Sequence, residues 1–340
     1  MAFDPGSSGL SPIRRRGSNP TPPMDVSAGN LSSAGPLGLY IHFPFCGVHC
    51  PYCDFAVEAR ADIPHDQYAN AIIAEIASRS VWFGGTDRNA GAAVRPALAS
   101  IYLGGGTPGL WRPDAIARVI AAGKRTLGAG ETHEPEITVE ANPGEVDDVA
   151  LRGLRQAGVN RLSLGIQSLD DRLLRLIGRN HVAAAGPAAV AAARAAGIDN
   201  LSIDLMFALP GQSFDDWRRS VDGVLALRPD HVSAYSLTIE RGTVFGARAR
   251  KGDLVVPDDE EAARMQEWVR DALAAGGLDQ YEVSSYARPG RRAVHNGLYW
   301  TGAPYLGVGA SAASFRPLDD GSGWRFSNPR ATETYLRAAQ

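Results

Sequence analysis

The sequence predicts an α/β fold: six βα units in series around a parallel sheet, forming a closed or an incomplete barrel. Three observations carry this reading. Short apolar segments alternate with helical patterns from Leu37 onward. Several of those segments are continuous apolar runs, as expected for strands covered on both faces. Nearly every one ends on an unusual polar or glycine-rich group, and in parallel barrels chemistry gathers at the C-terminal ends of the strands.

The strand segments are Leu39–Phe43, Ala99–Leu103, Glu136–Glu140, Arg161–Gly165, Leu201–Phe207 and Val232–Leu237. Between the first two, Tyr68, Ile72, Ile73 and Ile76 share one helical face. The alanine-rich stretch Val182–Ala196 reads as plain helix entered through Pro187. Ser213 and Asp216 form a capping box, with Asp in place of the usual Glu, ahead of a helix carrying Phe214, Trp217, Val221 and Val224. Pro257 followed by Asp258, Asp259, Glu260 and Glu261 suits the positive end of a further helix with Met265, Trp268 and Val269. Parallel strands in series require right-handed crossovers.

The chain has 340 residues, 44% hydrophobic and 21% charged, with a formal net charge of -3. That composition is soluble and globular. The slightly acidic balance argues against a nucleic-acid partner, since phosphate binding wants a basic surface. No apolar run approaches the ~20 residues that span a bilayer, so an integral membrane protein is not expected and a cytoplasmic location is. Residues 1–36 are rich in Ser, Gly, Pro and Asn and lack an apolar signal-peptide core, which predicts a disordered tail. A barrel domain over 37–255 and a C-terminal extension over 256–340 complete the expected organisation.

Three cysteines, Cys46, Cys50 and Cys53, are the only ones in the chain and follow the first strand directly. An odd, tightly spaced set is a poor disulfide framework. A structural zinc site completed by His49 or His42 is the stronger rival, but zinc ligands usually come as two separated pairs. Three thiolates on a cubane iron–sulfur cluster leave one iron open to a small molecule. The count therefore points to a reactive cluster.

The other strand ends supply groups for such a molecule. Strand two exits into Gly104-Gly105-Gly106-Thr107-Pro108, where the backbone can approach a ligand closely. No Gly-Lys-Ser/Thr follows, so it is not a phosphate-binding loop. Glu140 can accept from an ammonium group, Asp204 and Gln167 can hold a ribose diol, and Arg179 can pair with a carboxylate. Amine, carboxylate, ribose and open iron together describe S-adenosylmethionine.

Cys46-x3-Cys50-x2-Cys53 with Gly104–Pro108 resembles the radical S-adenosylmethionine (radical SAM) superfamily. The segments Tyr40–Cys46, Arg161–Ser168 and Asp204–Gln212 resemble its oxygen-independent coproporphyrinogen III oxidase group. The resemblance implies a partial (βα)6 TIM-like barrel with a small C-terminal α/β extension. It implies that Cys46, Cys50 and Cys53 ligate a [4Fe-4S] cluster and that Tyr40 lies over it. Gly105, Gly106, Thr107 and Glu140 would hold the methionyl end of S-adenosylmethionine, Gln167, Arg179 and Asp204 its ribose and carboxylate. Thr238 would lie near the adenine, and Tyr52 would also contact the cofactor. The family chemistry is one-electron reduction of the sulfonium, giving methionine and a 5′-deoxyadenosyl radical.

Within that group the true oxidases carry a fourth cysteine two residues after the third. Here Cys53-Asp54-Phe55 stands instead, which resembles the haem-chaperone branch, as does His295-Asn296-x-x-Tyr299-Trp300. That branch binds haem and passes it to respiratory haem proteins at the membrane, and His295, His42 and His49 are candidate haem contacts. Decarboxylation of coproporphyrinogen III is the alternative. The resemblance also implies a longer helical C-terminal domain, so residues 256–340 read as a shortened extension.

Overall fold

A computed structural model of the protein describes residues 35–83, 96–128, 134–318 and 321–339. The tail expected over 1–36 lies outside the described residues except for its last two, and Pro36 already opens the first strand. The chain runs β1 (Pro36–Phe43), the short ribbon strands β2 (Phe45–Cys46) and β3 (Glu58–Ala59), then α1 (His65–Arg79) and β4 (Ala97–Gly105). There follow α2 (Pro113–Leu127), β5 (Glu136–Ala141), α3 (Asp148–Gln156), β6 (Arg161–Gln167), α4 (Asp171–Leu176) and α5 (Ala185–Ala195). β7 (Asn200–Phe207), α6 (Phe214–Ala226) and β8 (His231–Ser236) complete the series.

All six expected strands form, side by side in the order β1-β4-β5-β6-β7-β8 with every pair parallel. After β8 come α7 (Val244–Arg250), α8 (Asp259–Ala275), β9 (Asp279–Gln280), β10 (Ser285–Ala287) and α9 (Val294–Thr301). The chain then forms β11 (Tyr305–Val308), β12 (Ala313–Pro317), β13 (Gly323–Ser327) and α10 (Thr332–Ala338). These late strands extend the same sheet at both edges. β10 lies antiparallel on β8 with β9 outside it, while β11 lies parallel on β1 and leads to β12 and β13. The outermost strands β9 and β13 are not paired, so the barrel stays open.

One expectation is corrected. The strands are not apolar on both faces but alternate. Leu39, Ile41, Ile101, Leu103, Ile137, Val139, Leu162, Leu164, Leu201 and Ile203 are fully buried in the core beneath the helices. Their neighbours Ser100, Tyr102, Glu140, Ser163, Ser202 and Asp204 face the opposite way and bond to one another or to histidines across the lumen. The helices between the strands cover one face of the sheet, and the other encloses a polar interior into which α9 sends His295.

The helices form as read. Tyr68, Ile72 and Ile76 are buried, and Trp217 is sealed with its Nε1 donating to Met265 O at 3.1 Å. The box at α6 is reciprocal: Asp216 N donates to Ser213 Oγ and Ser213 N to Asp216 Oδ2. Asp258 caps α8 by accepting from Glu261 N at 2.9 Å. Among the described residues no helix is long and apolar enough to cross a membrane.

Candidate functional site: a cysteine loop over a polar barrel mouth

β1 delivers the chain to the mouth of the barrel, and β2 and β3 hold the cysteine loop there. Glu58 N donates to Pro44 O at 2.7 Å and Arg60 N to Cys46 O at 3.0 Å. The three thiols are free and half-buried. Burial pushes the Cys46 thiol up to about 11, against a hydrogen bond with Thr107, and raises Cys53 as well. Thiols of this kind become thiolates only when a cation sits among them, as a metal centre provides. The Cys50 Sγ has Arg179 Nη1 and Gly178 O as neighbours, each at 3.8 Å.

The glycine run closes against this loop. Gly106 N donates to Phe43 O at 2.7 Å, and Thr107 N to Phe45 O at 2.8 Å. A Cβ on Gly106 would lie 2.5 Å from Phe45 O and 3.0 Å from Cys46 Sγ, so only glycine lets the backbone come this near the sulfur. Gly105 adopts φ +109°, and its N–H donates to Glu140 Oε2 at 3.1 Å. Glu140 also accepts from Tyr102 OH at 2.6 Å. Burial raises its carboxyl to about 7, although the Tyr102 bond, the Gly105 bond and Arg161 all favour the charged form.

Arg179 is anchored by donating through Nη2 to Gly165 O at 2.9 Å and to Asn142 Oδ1. Its Nε is buried with no hydrogen-bond partner, a donor left for a ligand or water. Tyr52 packs on Phe245 beside it. Gln167 sits at φ +64°, where the β6–β7 register breaks, and accepts from Tyr235 OH at 2.9 Å. Asp204 accepts from Ser163 Oγ at 3.2 Å; burial raises its pKa, with Ser233, Arg161 and Ser163 opposing. Thr238 lies exposed, two residues beyond β8. Tyr40 stacks on Tyr102, with ring centroids 6.2 Å apart.

Of the candidate histidines, His42 and His295 are occupied at both ring nitrogens. His42 donates from Nε2 to Ala56 O at 2.9 Å and accepts at Nδ1 from Tyr40 OH at 3.1 Å. His295 is 1% exposed, bonded at Nδ1 to Ser100 Oγ and at Nε2 to Tyr299 OH, both at 2.8 Å. Burial lowers its pKa to about 3, so the ring is neutral. It stacks on Tyr102 inside the barrel. Among the described histidines only His49, on the cysteine loop, is exposed, with Nε2 at 3.3 Å from Cys53 O.

Several participants escaped the sequence reading. Asn142 bridges Thr107 Oγ1 at 3.0 Å and Glu145 Oε2 at 2.7 Å, and Glu145 in turn accepts from Asn180. Tyr102, Ser163 and Tyr235 orient the carboxylates and Gln167. The signal for these was the alternation of polar residues along β4, β6 and β8. A cavity of about 320 Å³ opens at this mouth, and its lining includes Tyr40, Gly105 and Glu140 together with Phe55, Ser311 and Arg330.

The donor set fits a cluster held by the three thiols and a cofactor lying between Glu140 and Asp204. When bound, the cluster would supply one electron to the cofactor's sulfonium. The chain's own groups would orient that cofactor and exclude water. Replacing Asp204 by Ala is expected to weaken S-adenosylmethionine binding by about tenfold, from loss of a charged hydrogen bond, with iron content unchanged. Equilibrium dialysis of reconstituted protein tests this, and unchanged affinity would remove Asp204 from the site.

Comparison with known proteins gives the family. The sequence pattern of the radical SAM superfamily matches residues 40–223. Haem chaperone HemW of Lactococcus lactis is 37% identical over 304 residues, 89% of this chain and 75% of that protein. The Escherichia coli HemW is 34% identical over 89% of this chain and 76% of its own length. The mouse mitochondrial radical S-adenosyl methionine domain-containing protein 1 is 37% identical over 86% of this chain and 62% of its own. The solved coproporphyrinogen III oxidase (HemN) of Escherichia coli shares the fold, with a TM-score of 0.71 at 24% identity over 89% of this chain and 69% of that one. With three thiols on the loop, a glycine cradle against them and these relatives, the chain belongs to the radical SAM superfamily and, within it, to the HemW family.

Proposed function

We propose that the protein is a haem chaperone that carries a [4Fe-4S] cluster and S-adenosylmethionine, takes up haem in the cytoplasm and passes it to respiratory haem proteins at the membrane. The observation that carries this reading is the identity, spread over most of the chain, to bacterial proteins named haem chaperone. Position 55 supports it. Phe55 stands where the oxidase pattern has its fourth cysteine, and the side chain is largely exposed beside the cluster loop. Axial ligation of haem by His42 or His295 would first break two hydrogen bonds at a buried ring, so neither is its primary anchor.

The test is an anaerobic assay of reconstituted, reduced protein with S-adenosylmethionine and coproporphyrinogen III, together with a haem titration. A stoichiometric haem complex and no decarboxylation are expected. Protoporphyrinogen formed over many turnovers would make the protein an oxidase in spite of Phe55.

A further inference from the structure

We infer that the outer wall of the mouth cavity, formed by Phe55, Ser311 and Arg330, is a binding site for a flat apolar ring system bearing a carboxylate. Arg330 would take the carboxylate and Phe55 the ring face. This rests on the chaperone reading, in which haem is that ligand, and says where on the chain the cargo sits.

The wall is built from opposite ends of the chain and held rigidly. Arg330 Nη2 donates to Asp54 O at 2.7 Å and reaches Phe55 O at 3.4 Å. The next carbonyl, that of Ala56, accepts from His42 Nε2. Three successive carbonyls are thus fixed, and Phe55 is turned outward, 66% exposed at the cavity rim. On the far side Ser311 N donates to Pro329 O at 2.8 Å. Asn328 is pinned by Nδ2 to Glu75 Oε1 and to Gly309 O, both at 2.7 Å. Glu75 also accepts from Gly309 N and from Tyr335 OH. The cation at the lip is therefore placed by a buried network.

An exposed aromatic ring alone is ordinary. Here it stands on the rim of a cavity beside a fixed guanidinium, the combination of apolar surface and a convergent polar group that marks small-molecule sites. The Arg330 charge is only partly met, since Asp54 Oδ1 lies 3.8 Å away and the Arg330 side chain stays 65% exposed. A guanidinium so placed suits a carboxylate. The inner wall, with Glu140 and Gly105, offers the acceptor and backbone groups suited to the cofactor's amino-acid end. The two ligands would then meet across the same cavity.

The experiment titrates haem, and separately haem dimethyl ester, into reconstituted wild type, Phe55→Ala and Arg330→Met, with iron content and S-adenosylmethionine affinity measured on each. Haem affinity should fall about tenfold in Phe55→Ala, for a lost ring contact, and about fivefold in Arg330→Met, for a lost exposed ion pair. The ester, having no carboxylate, should bind wild type and Arg330→Met alike. Equal loss for haem and ester in Arg330→Met would mean that Arg330 only braces the loop, and would overturn the assignment. So would unchanged haem affinity in both variants. Absence of haem binding by the wild type would sink the chaperone reading and this site together, a result distinct from failure of the variants alone.

Discussion

Cys50→Ser is expected to leave the protein unable to assemble its cluster. After anaerobic reconstitution the variant should retain close to no iron or sulfide and lack the brown absorbance of the wild type. The argument is arithmetic before it is geometric: the chain has three cysteines, a cluster with one open iron uses all three, and no other thiol can substitute. Geometry adds that the loop is shaped around this residue. Cys53 N donates to Cys50 O at 3.1 Å, closing the turn that brings the third thiol round, and Arg179 approaches the sulfur from the strand side. Serine preserves that turn, so folding should be unaffected; a half-buried loop position changes stability by only about 0.5 kcal/mol. A melting temperature equal to that of cluster-free wild type, together with lost iron, is therefore the expected pair of results. Normal iron content in the variant would refute Cys50 as a ligand.

What the sequence made legible follows from where its signals are local. The cysteine loop, the glycine run, Glu140 and Gln167 could be picked out because each lies at or near a strand end, and strand ends converge in a parallel barrel whatever the details; Asp204 stood out as a lone carboxylate inside an apolar strand. The capping box at Ser213 and the acidic start of α8 are likewise local. The interior was not legible. Tyr102 meets Glu140, and Ser163 meets Asp204, only through the register of neighbouring strands, which no single segment specifies.

The C-terminal strands illustrate the same limit more strongly. β11 finds its partner in β1, more than 250 residues earlier, on the opposite edge of the sheet from β10. Nothing in Tyr305–Val308 itself says so. The contact between Arg330 and the carbonyls of Asp54 and Phe55 is invisible for the same reason. His295 shows a different failure: its motif was visible, but whether the ring faced a ligand or the core depended on α9 packing under β1 and β4. There it stacks on Tyr102 with both nitrogens bonded.

The second large effect concerns Glu140, whose carboxyl is raised to about 7, chiefly by burial. If it receives the ammonium group of S-adenosylmethionine, the form that binds is the carboxylate, because a protonated acid beside a buried cation supplies no charge to balance it. The sign follows. Below pH 7 the group carries a proton that the ligand must displace, so affinity should rise about tenfold per pH unit up to 7 and then level off. Bringing the ammonium in lowers the Glu140 pKa, which is the same linkage seen from the protein's side. Glu140→Gln removes both the charge and the titration. Its affinity at pH 8 should be about ten- to a hundredfold weaker, the range expected for a charged hydrogen bond, and its profile between pH 5.5 and 7 should be nearly flat. Gln keeps one carbonyl acceptor, enough for Tyr102 OH but not also for Gly105 N–H, so a Glu140→Asp control, which keeps both acceptor oxygens and the charge, separates the loss of charge from the loss of the Gly105 bond. Titration calorimetry from pH 5.5 to 8 on both proteins measures the slopes directly. A flat wild-type profile, or an undiminished slope in Glu140→Gln, would show that the ammonium lies elsewhere and that Glu140 serves only to hold Gly105 and Tyr102 in place.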